Sequence, residues 1–256
     1  MVISLALTAD SKNHQMKSIF LVLILVLCCT SCKDTPQVQK IIKEEVQDTV
    51  KRLTKEQRIL EKTYKRQLST SGDTLLAYIP QDSVKVFFTR YGKENPETRV
   101  GLITTYGVIE MELLTETPIY RASFIYLIKN GYFNGTYIHR VVEDFVIQAG
   151  NSDEILPSLK RASSGNYKLP PHFLPGVKHE RGSLSSAKQW IDNPQNWHDP
   201  FDFFITLNSS PHLDKEHTIF GRVTKGMEIA DQIARVPRDE SDWPKEDIFI
   251  DMEVIE

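Results

Sequence analysis

Beyond Cys32 the chain has no cysteine: Cys28, Cys29 and Cys32 all stand in the first 32 of its 256 residues. The remainder can form no disulfide, no thiolate metal site and no cysteine nucleophile, so its stability must come from a packed core. Charge of one sign is also missing. With 31 basic and 34 acidic residues the net charge is −3, which excludes the strongly basic footprint of a nucleic-acid-binding domain. Between Pro36 and Leu68 there is neither glycine nor a second proline. Otherwise the composition, 40% hydrophobic and 25% charged, is that of an ordinary soluble globular protein.

The N-terminus reads as an export signal. Lys17 precedes an apolar run, Ile19 to Leu27, which is followed by Cys28-Cys29-Thr30-Ser31-Cys32-Lys33-Asp34. A run this short suits a signal-peptide core better than a bilayer-spanning helix. Thr30 and Ser31 ahead of Cys32 resemble the small-residue lipobox of bacterial lipoproteins, although Cys29 stands where that box usually has leucine. The resemblance implies that residues 1–31 are removed and that Cys32 carries lipid at the new N-terminus, anchoring the protein to a membrane of the bacterial cell envelope. The lipoprotein would face the periplasm or the outer surface. Met16 would open a signal of normal form, which marks residues 1–15 as a candidate over-extension.

Residues 32–72 form the next segment. Val38, Ile42, Val46, Val50, Leu53, Leu60, Tyr64 and Leu68 trace a thin apolar stripe at helical spacing among Lys, Arg, Glu and Gln. The reading is a solvated spacer helix over 36–68, with self-association through the same stripe as the functional alternative; Ser69-Thr70-Ser71-Gly72-Asp73 ends it. Residues 73–97 are mixed. Leu75–Ile79 and Val84–Phe88 are expected as short strands interrupted by Pro80, Gly92 and Pro96. A domain over 98–256 then shows strands at Arg99–Thr105 and Val108–Leu114 around a Tyr106-Gly107 hairpin signal. A helix is expected over Ile119–Lys129, then a strand within Tyr137–Gly150, a long Ser/Gly/Pro-containing loop, and further strands at Gly182–Ser186, Phe201–Leu207, Thr218–Val223 and Ile248–Ile255. A second helix spans Gly226–Arg235. The class is mainly β, a closed barrel capped by two helices.

The most informative stretch is Tyr137–Gly150, an alternating apolar run that carries Arg140, Phe145 and Gln148. A half-buried strand repeats every two residues, so the run holds a permanent cation at the edge of an apolar surface. It resembles the signature of the cyclophilin-type peptidyl-prolyl cis/trans isomerases, Phe-His-Arg-Val followed by Phe-x-x-Gln-Gly-Gly. Three further blocks follow in family order. Gly182-Ser183-Leu184-Ser185-Ser186-Ala187-Lys188-Gln189 resembles a segment whose backbone binds the residue before proline. Phe201-Asp202-Phe203-Phe204-Ile205-Thr206 resembles Ser-Gln-Phe-Phe-Ile. His212-Leu213-Asp214 through His217 to Phe220-Gly221 resembles Trp-Leu-Asp-x-x-His-x-x-Phe-Gly.

The resemblance implies an eight-stranded antiparallel barrel, and Arg140 as the catalytic donor to the prolyl nitrogen. Rotation about an amide faces a barrier of about 18–20 kcal/mol because resonance must be broken. No bond is made, so neither cofactor nor metal is called for. The binding residues it implies are His139, Phe145, Val146, Gln148, Ala187, Lys188, Gln189, Asp202, Phe204, His212, Leu213 and His217, taking proline-containing peptides and unfolded chains. Phe204 should line the proline pocket while Phe203 faces the other side of its strand. Asp202 replaces the family's glutamine, and an ion pair with Arg140 is expected. His212 replaces a tryptophan linked to cyclosporin binding. The insertion Trp190–Pro200 reads as a variable surface loop beside the groove, with a specificity element as the alternative. His139, His198, His212 and His217 could suggest a metal site, but the spacing between His212 and His217 matches no standard zinc pattern. The function expected is folding assistance to extracytoplasmic proteins. The alternatives are a tethered proline-peptide-binding module with little turnover, or an envelope structural lipoprotein.

Overall fold

Alternation along the C-terminal two thirds closes on itself. The computed structural model describes residues 65–255. The signal peptide, Cys32 and the spacer helix up to residue 64 lie outside the described residues. Residues 65–68, expected as the end of that helix, are not helical: Leu68 makes an isolated bridge to Thr74 across the Ser69–Asp73 turn.

Eight strands form the barrel: β1 (Arg99–Thr104), β2 (Gly107–Leu113), β3 (Thr136–Val142), β4 (Val146–Asn151), β5 (Ser183–Ala187), β6 (Asp199–Thr206), β7 (Ile219–Lys225) and β8 (Phe249–Val254). Their order around the closed sheet is β1-β2-β7-β5-β6-β4-β3-β8, with every pairing antiparallel. Gly107 opens the return strand of the first hairpin at φ 136°, a conformation that favours glycine. Inward-facing Leu102, Ile109, Met111, Ile147, Phe203, Ile205 and Phe220 fill the interior. The helix α2 (Pro118–Lys129) packs against β6, β7 and β8, whereas α4 (Met227–Ala234) packs against β2, β3 and β4.

Three local expectations need correction. The signature run is not one strand but a β3–β4 hairpin. Asp144 takes φ 57° and the Phe145 N–H donates to the Val142 carbonyl at 3.0 Å. Aspartate tolerates this left-handed turn position, and Glu143-Asp144 is the break in the apolar pattern. Val84–Glu94, expected as a strand at its start, is a helix, α1. Val84, Phe87, Phe88 and Tyr91 share one face by helical spacing. Phe88 packs 5.8 Å from Tyr126 and 5.2 Å from Tyr167, ring centre to ring centre. The stretch after β4 is not all loop either: it contains α3 (Ile155–Ser163), with Pro157 in its first turn, where no intrahelical N–H is lost.

Two buried cations fasten these helices. Arg121 on α2, only 7% exposed, donates to the carbonyls of Gly92 at 2.8 Å, Asn95 at 2.8 Å and Glu97 at 3.1 Å. These oxygens at and just beyond the C-terminus of α1 have no helical N–H to receive. Lys160 on α3 does the same for α2, donating to Gly131 at 2.6 Å and Asn130 at 3.2 Å. Residues 84–97 are thereby part of the folded unit. Replacing Arg121 with methionine keeps the apolar stem and strands three carbonyls, one buried and two part-buried. Arg121→Met is expected to cost about 2–4 kcal/mol of unfolding free energy in urea titration. A loss below about 1 kcal/mol would mean that water replaces the guanidinium.

Candidate active site

The strand register assembles the site. Arg140 on β3 pairs with Gln148 on β4, Gln148 with Phe204 on β6, and Phe204 with Ser185 on β5. Residues paired in register point to the same side of a sheet, so one row across four strands carries a cation, an amide and an aromatic ring outward. Strand alternation sends Phe203 inward to the main core. Phe204 instead forms a separate apolar cluster with Val146 and Leu213, against which Phe145 packs. A short 3-10 turn, Pro211–Leu213, supplies His212 and Leu213. Together with Ala187, Lys188, Trp190 and His217 these groups line a cavity of about 280 Å³.

Arg140 stands at its edge. Its guanidinium lies 5.9 Å from the Phe145 ring centre, and its side chain is 39% exposed. The carboxylate that meets it is Asp242, at 3.5 Å from Nη2, and not Asp202 as expected. Asp242 lies in the loop before β8; its carbonyl accepts from the Val141 N–H at 2.9 Å, and its other oxygen meets Arg238 at 3.2 Å. Asp202 faces Asp199, Arg161 and Lys168 instead, with Oδ1 buried and lacking a hydrogen-bond partner. Burial, reinforced by the Asp199 charge, pushes its carboxyl well above the usual carboxylate range.

Two buried imidazoles at the site, His217 and His198, are held neutral. Burial pushes His217 down to about 4, so its Nδ1–H donates to the Ser186 carbonyl at 3.0 Å while its ring meets Phe204 edge-on at 5.1 Å. His198, also about 4 through burial, faces the Glu216 carbonyl with Nε2 and the Tyr120 hydroxyl with Nδ1. The Nε2–H therefore donates to the carbonyl, and Nδ1 accepts.

Of the expected binding residues, Phe145, Val146, Gln148, Ala187, Lys188, Phe204, His212, Leu213 and His217 converge on the cavity with Arg140. Three do not. His139 points away toward Trp243, 5.7 Å between ring centres, with Nδ1 buried and unpartnered; alternation places it opposite Arg140. Gln189 borders a separate depression with Lys168 and Trp197, and Asp202 sits behind the site beside Ser186 and Pro200.

Sequence reasoning missed Asp242 and His179 as site neighbours, whereas Trp190 does stand beside the groove, where its insertion is expected. The His179 Nδ1 bonds Asp214 at 2.9 Å, and its ring stacks 6.0 Å from Phe204. A wider cleft of about 630 Å³, lined by His179, Phe173 and Val177, adjoins the site through His217.

Comparison with known proteins agrees with this geometry. The model of the cyclophilin type peptidyl-prolyl cis-trans isomerase family matches residues 99–254, more than half of the chain. The chain belongs to that family. Its enzyme class is EC 5.2.1.8. A peptidyl-prolyl cis-trans isomerase-like 1 of Neurospora crassa is 35% identical over 60% of this chain and 91% of its own length. An isomerase-like 2 protein of Rhizopus delemar is 34% identical over 62% of this chain, which spans only 29% of that longer relative. A Cryptosporidium parvum cyclophilin crystallised in the presence of the dipeptide Ala-Pro superposes with a TM-score of 0.52 at 28% identity, covering 62% of this chain and 99% of its own.

The buried imidazoles of this cyclophilin set its acid stability. His139, His198 and His217 all titrate near 4 when folded, against 6.5 as the ordinary value, because burial disfavours the cation. Between pH 6.5 and 4 the native state therefore binds fewer protons at these three sites than the unfolded chain does. Asp202, raised when folded, binds more, and offsets one of the three. Stability must fall as pH falls through this window, with a slope of up to about 1.4 kcal/mol per pH unit for each uncompensated imidazole. Urea midpoints are expected to drop steadily from pH 7 to pH 4.5; a flat profile would show that the imidazoles are not desolvated.

Proposed function

We propose that this chain is an active isomerase of X–Pro peptide bonds that assists the folding of extracytoplasmic proteins. The observation that carries the reading is the row Arg140–Gln148–Phe204 beside the Val146, Phe204 and Leu213 cluster. The apolar cluster suits a proline ring, and the row sets a cation at the rim of the same cavity. An amide nitrogen in resonance is a poor acceptor, but when the bond twists its lone pair becomes available to a donor. A guanidinium placed there interacts more strongly with the twisted state than with either planar one, which is what lowers a barrier. Arginine stays charged and offers several fixed donors. Its exposure and its long contact to Asp242 leave those donors accessible to a peptide. The Ala-Pro present with the Cryptosporidium relative has the chemistry this pocket would take.

Arg140→Ala is expected to lower kcat/KM on an X–Pro peptide by one to three orders of magnitude, about 1.4–4 kcal/mol of barrier. The unfolding midpoint should hardly move, because a partly exposed pair contributes little to stability. Unchanged turnover would exclude Arg140 as the donor.

The site of action rests on the N-terminal sequence alone, since the relatives named above are eukaryotic. We place the protein at a bacterial membrane through lipid on Cys32, on the strength of the short apolar run and of Thr30 and Ser31 before the cysteine. Several acyl chains together give the firm anchoring that one cannot. Labelled palmitate should enter the wild type, and Cys32→Ser should abolish both labelling and membrane fractionation. Labelling that persists in the variant would move the lipid to Cys28 or Cys29, and no labelling of the wild type would remove the anchor.

A further inference from the structure

Lys188 is the odd wall of the proline pocket. Its side chain is only 3% exposed, among Phe145, Val146, Phe204 and Leu213. A buried ammonium is costly unless its charge and its donors are met. Here they are met at three points. Nζ pairs with Glu216 at 2.5 Å, donates to Oδ1 of Asn196 at 2.5 Å, and lies 4.1 Å from the centre of the Trp190 ring. Two of those partners, Trp190 and Asn196, belong to the insertion over residues 190–200.

The insertion is therefore not a slack loop. Asn193 staples it from inside: Nδ2 donates to the carbonyls of Gln189 at 2.9 Å and Trp197 at 2.8 Å, and Oδ1 accepts from the Trp197 N–H at 2.9 Å. Its other end, His198, bridges to Leu169. The device fixes an indole that stays open to solvent. Trp190 is 67% exposed, and its ring stands 5.6 Å from that of His217 at the rim of the cavity. Lys188 and Glu216 neutralise each other, so the surface beside the indole presents no uncompensated charge. An indole fixed by a cation at its face offers a large apolar wall at little entropic cost on binding.

We propose that Trp190, positioned by Lys188, is a specificity-determining wall that receives a large apolar or aromatic side chain directly flanking the substrate proline. The proposal rests on the isomerase reading of the same pocket. It assigns Trp190 to substrate contact, and Lys188 to holding the indole in place.

The test compares two peptide series on the full chain, one varying the residue before proline and one the residue after it, each with alanine and phenylalanine. The ratio of kcat/KM for phenylalanine over alanine is read, so a partly misfolded sample cancels out. Trp190→Ala is expected to cut that ratio by roughly two- to tenfold in one of the two series, the usual worth of an aromatic contact. Lys188→Met, which keeps the stem and removes the charge, should cut it in the same series, and Lys188→Arg should restore it. An unchanged ratio in both series overturns the role of Trp190. A cut with Trp190→Ala but not with Lys188→Met overturns the positioning by Lys188. If the wild type turns over neither series, the isomerase reading fails by itself. Titration of tryptophan emission with the same four peptides then decides the wall through the corresponding ratio of Kd values.

Discussion

Gly150 sets the spacing on which the pocket depends. It takes φ 107°, and a Cβ at this position would lie 2.2 Å from the carbonyl oxygen of Phe201. No side chain fits there, so β4 and β6 meet backbone to backbone. That approach lets β4 pair with β6 from Val146 to Ala149 while its other edge pairs with β3. The row from Arg140 through Gln148 and Phe204 to Ser185 follows from this one register. A slip of a single residue on β6 would send Phe203 outward and Phe204 into the barrel. The apolar cluster and the cation would then no longer share a face.

The second constraint is the treatment of helix ends. Arg121 and Lys160 are buried, and each spends its donors on backbone carbonyls at or just past a helix C-terminus. A cation suits the negative end of a helix, and there it serves as a long-range cap that also fixes where the helix lies. Desolvation lowers the pKa of both groups, yet the oxygens they meet would be orphaned without them. This explains how residues before β1 become part of the domain. Tyr126 extends the same joint, with ring contacts to Phe87, Phe88 and Tyr91 and a hydroxyl that accepts from the Ala77 N–H at 3.2 Å.

The strands were legible because alternation and burial agree in a barrel: the expected Arg99–Thr105 and Phe201–Leu207 differ from β1 and β6 by one or two residues at an end. The misread parts share a cause. Proline and glycine were taken as interruptions at Pro80, Gly92 and Pro96, although Val84, Phe87, Phe88 and Tyr91 carry helical spacing between them. Pro157 hid α3 in the same way, because in a first turn it breaks nothing. At the site, the side chains carried by β3 through β6 could be placed from the motif blocks. Asp242 could not. It reaches Arg140 from a loop about a hundred residues later, and nothing in its local sequence distinguishes it from Asp239 or Asp247. Asp202 was misassigned because a motif position specifies the strand and the face but not the way a carboxylate turns within a polar cluster.

The two cations of the pocket show why burial alone does not mark a working group. Lys188 is nearly inaccessible, with its charge already met by Glu216, Asn196 and the Trp190 face. A substrate that drew on it would first have to break its contacts to half-exposed Glu216, Asn196 and the Trp190 ring, so its charge serves structure. Arg140 is far more exposed, and its carboxylate contact is a single long one. The cost of turning it toward a twisted amide is correspondingly small. One apolar cavity thus holds a cation that fixes the wall and another that remains free to act, and the difference lies in how completely each is satisfied at rest.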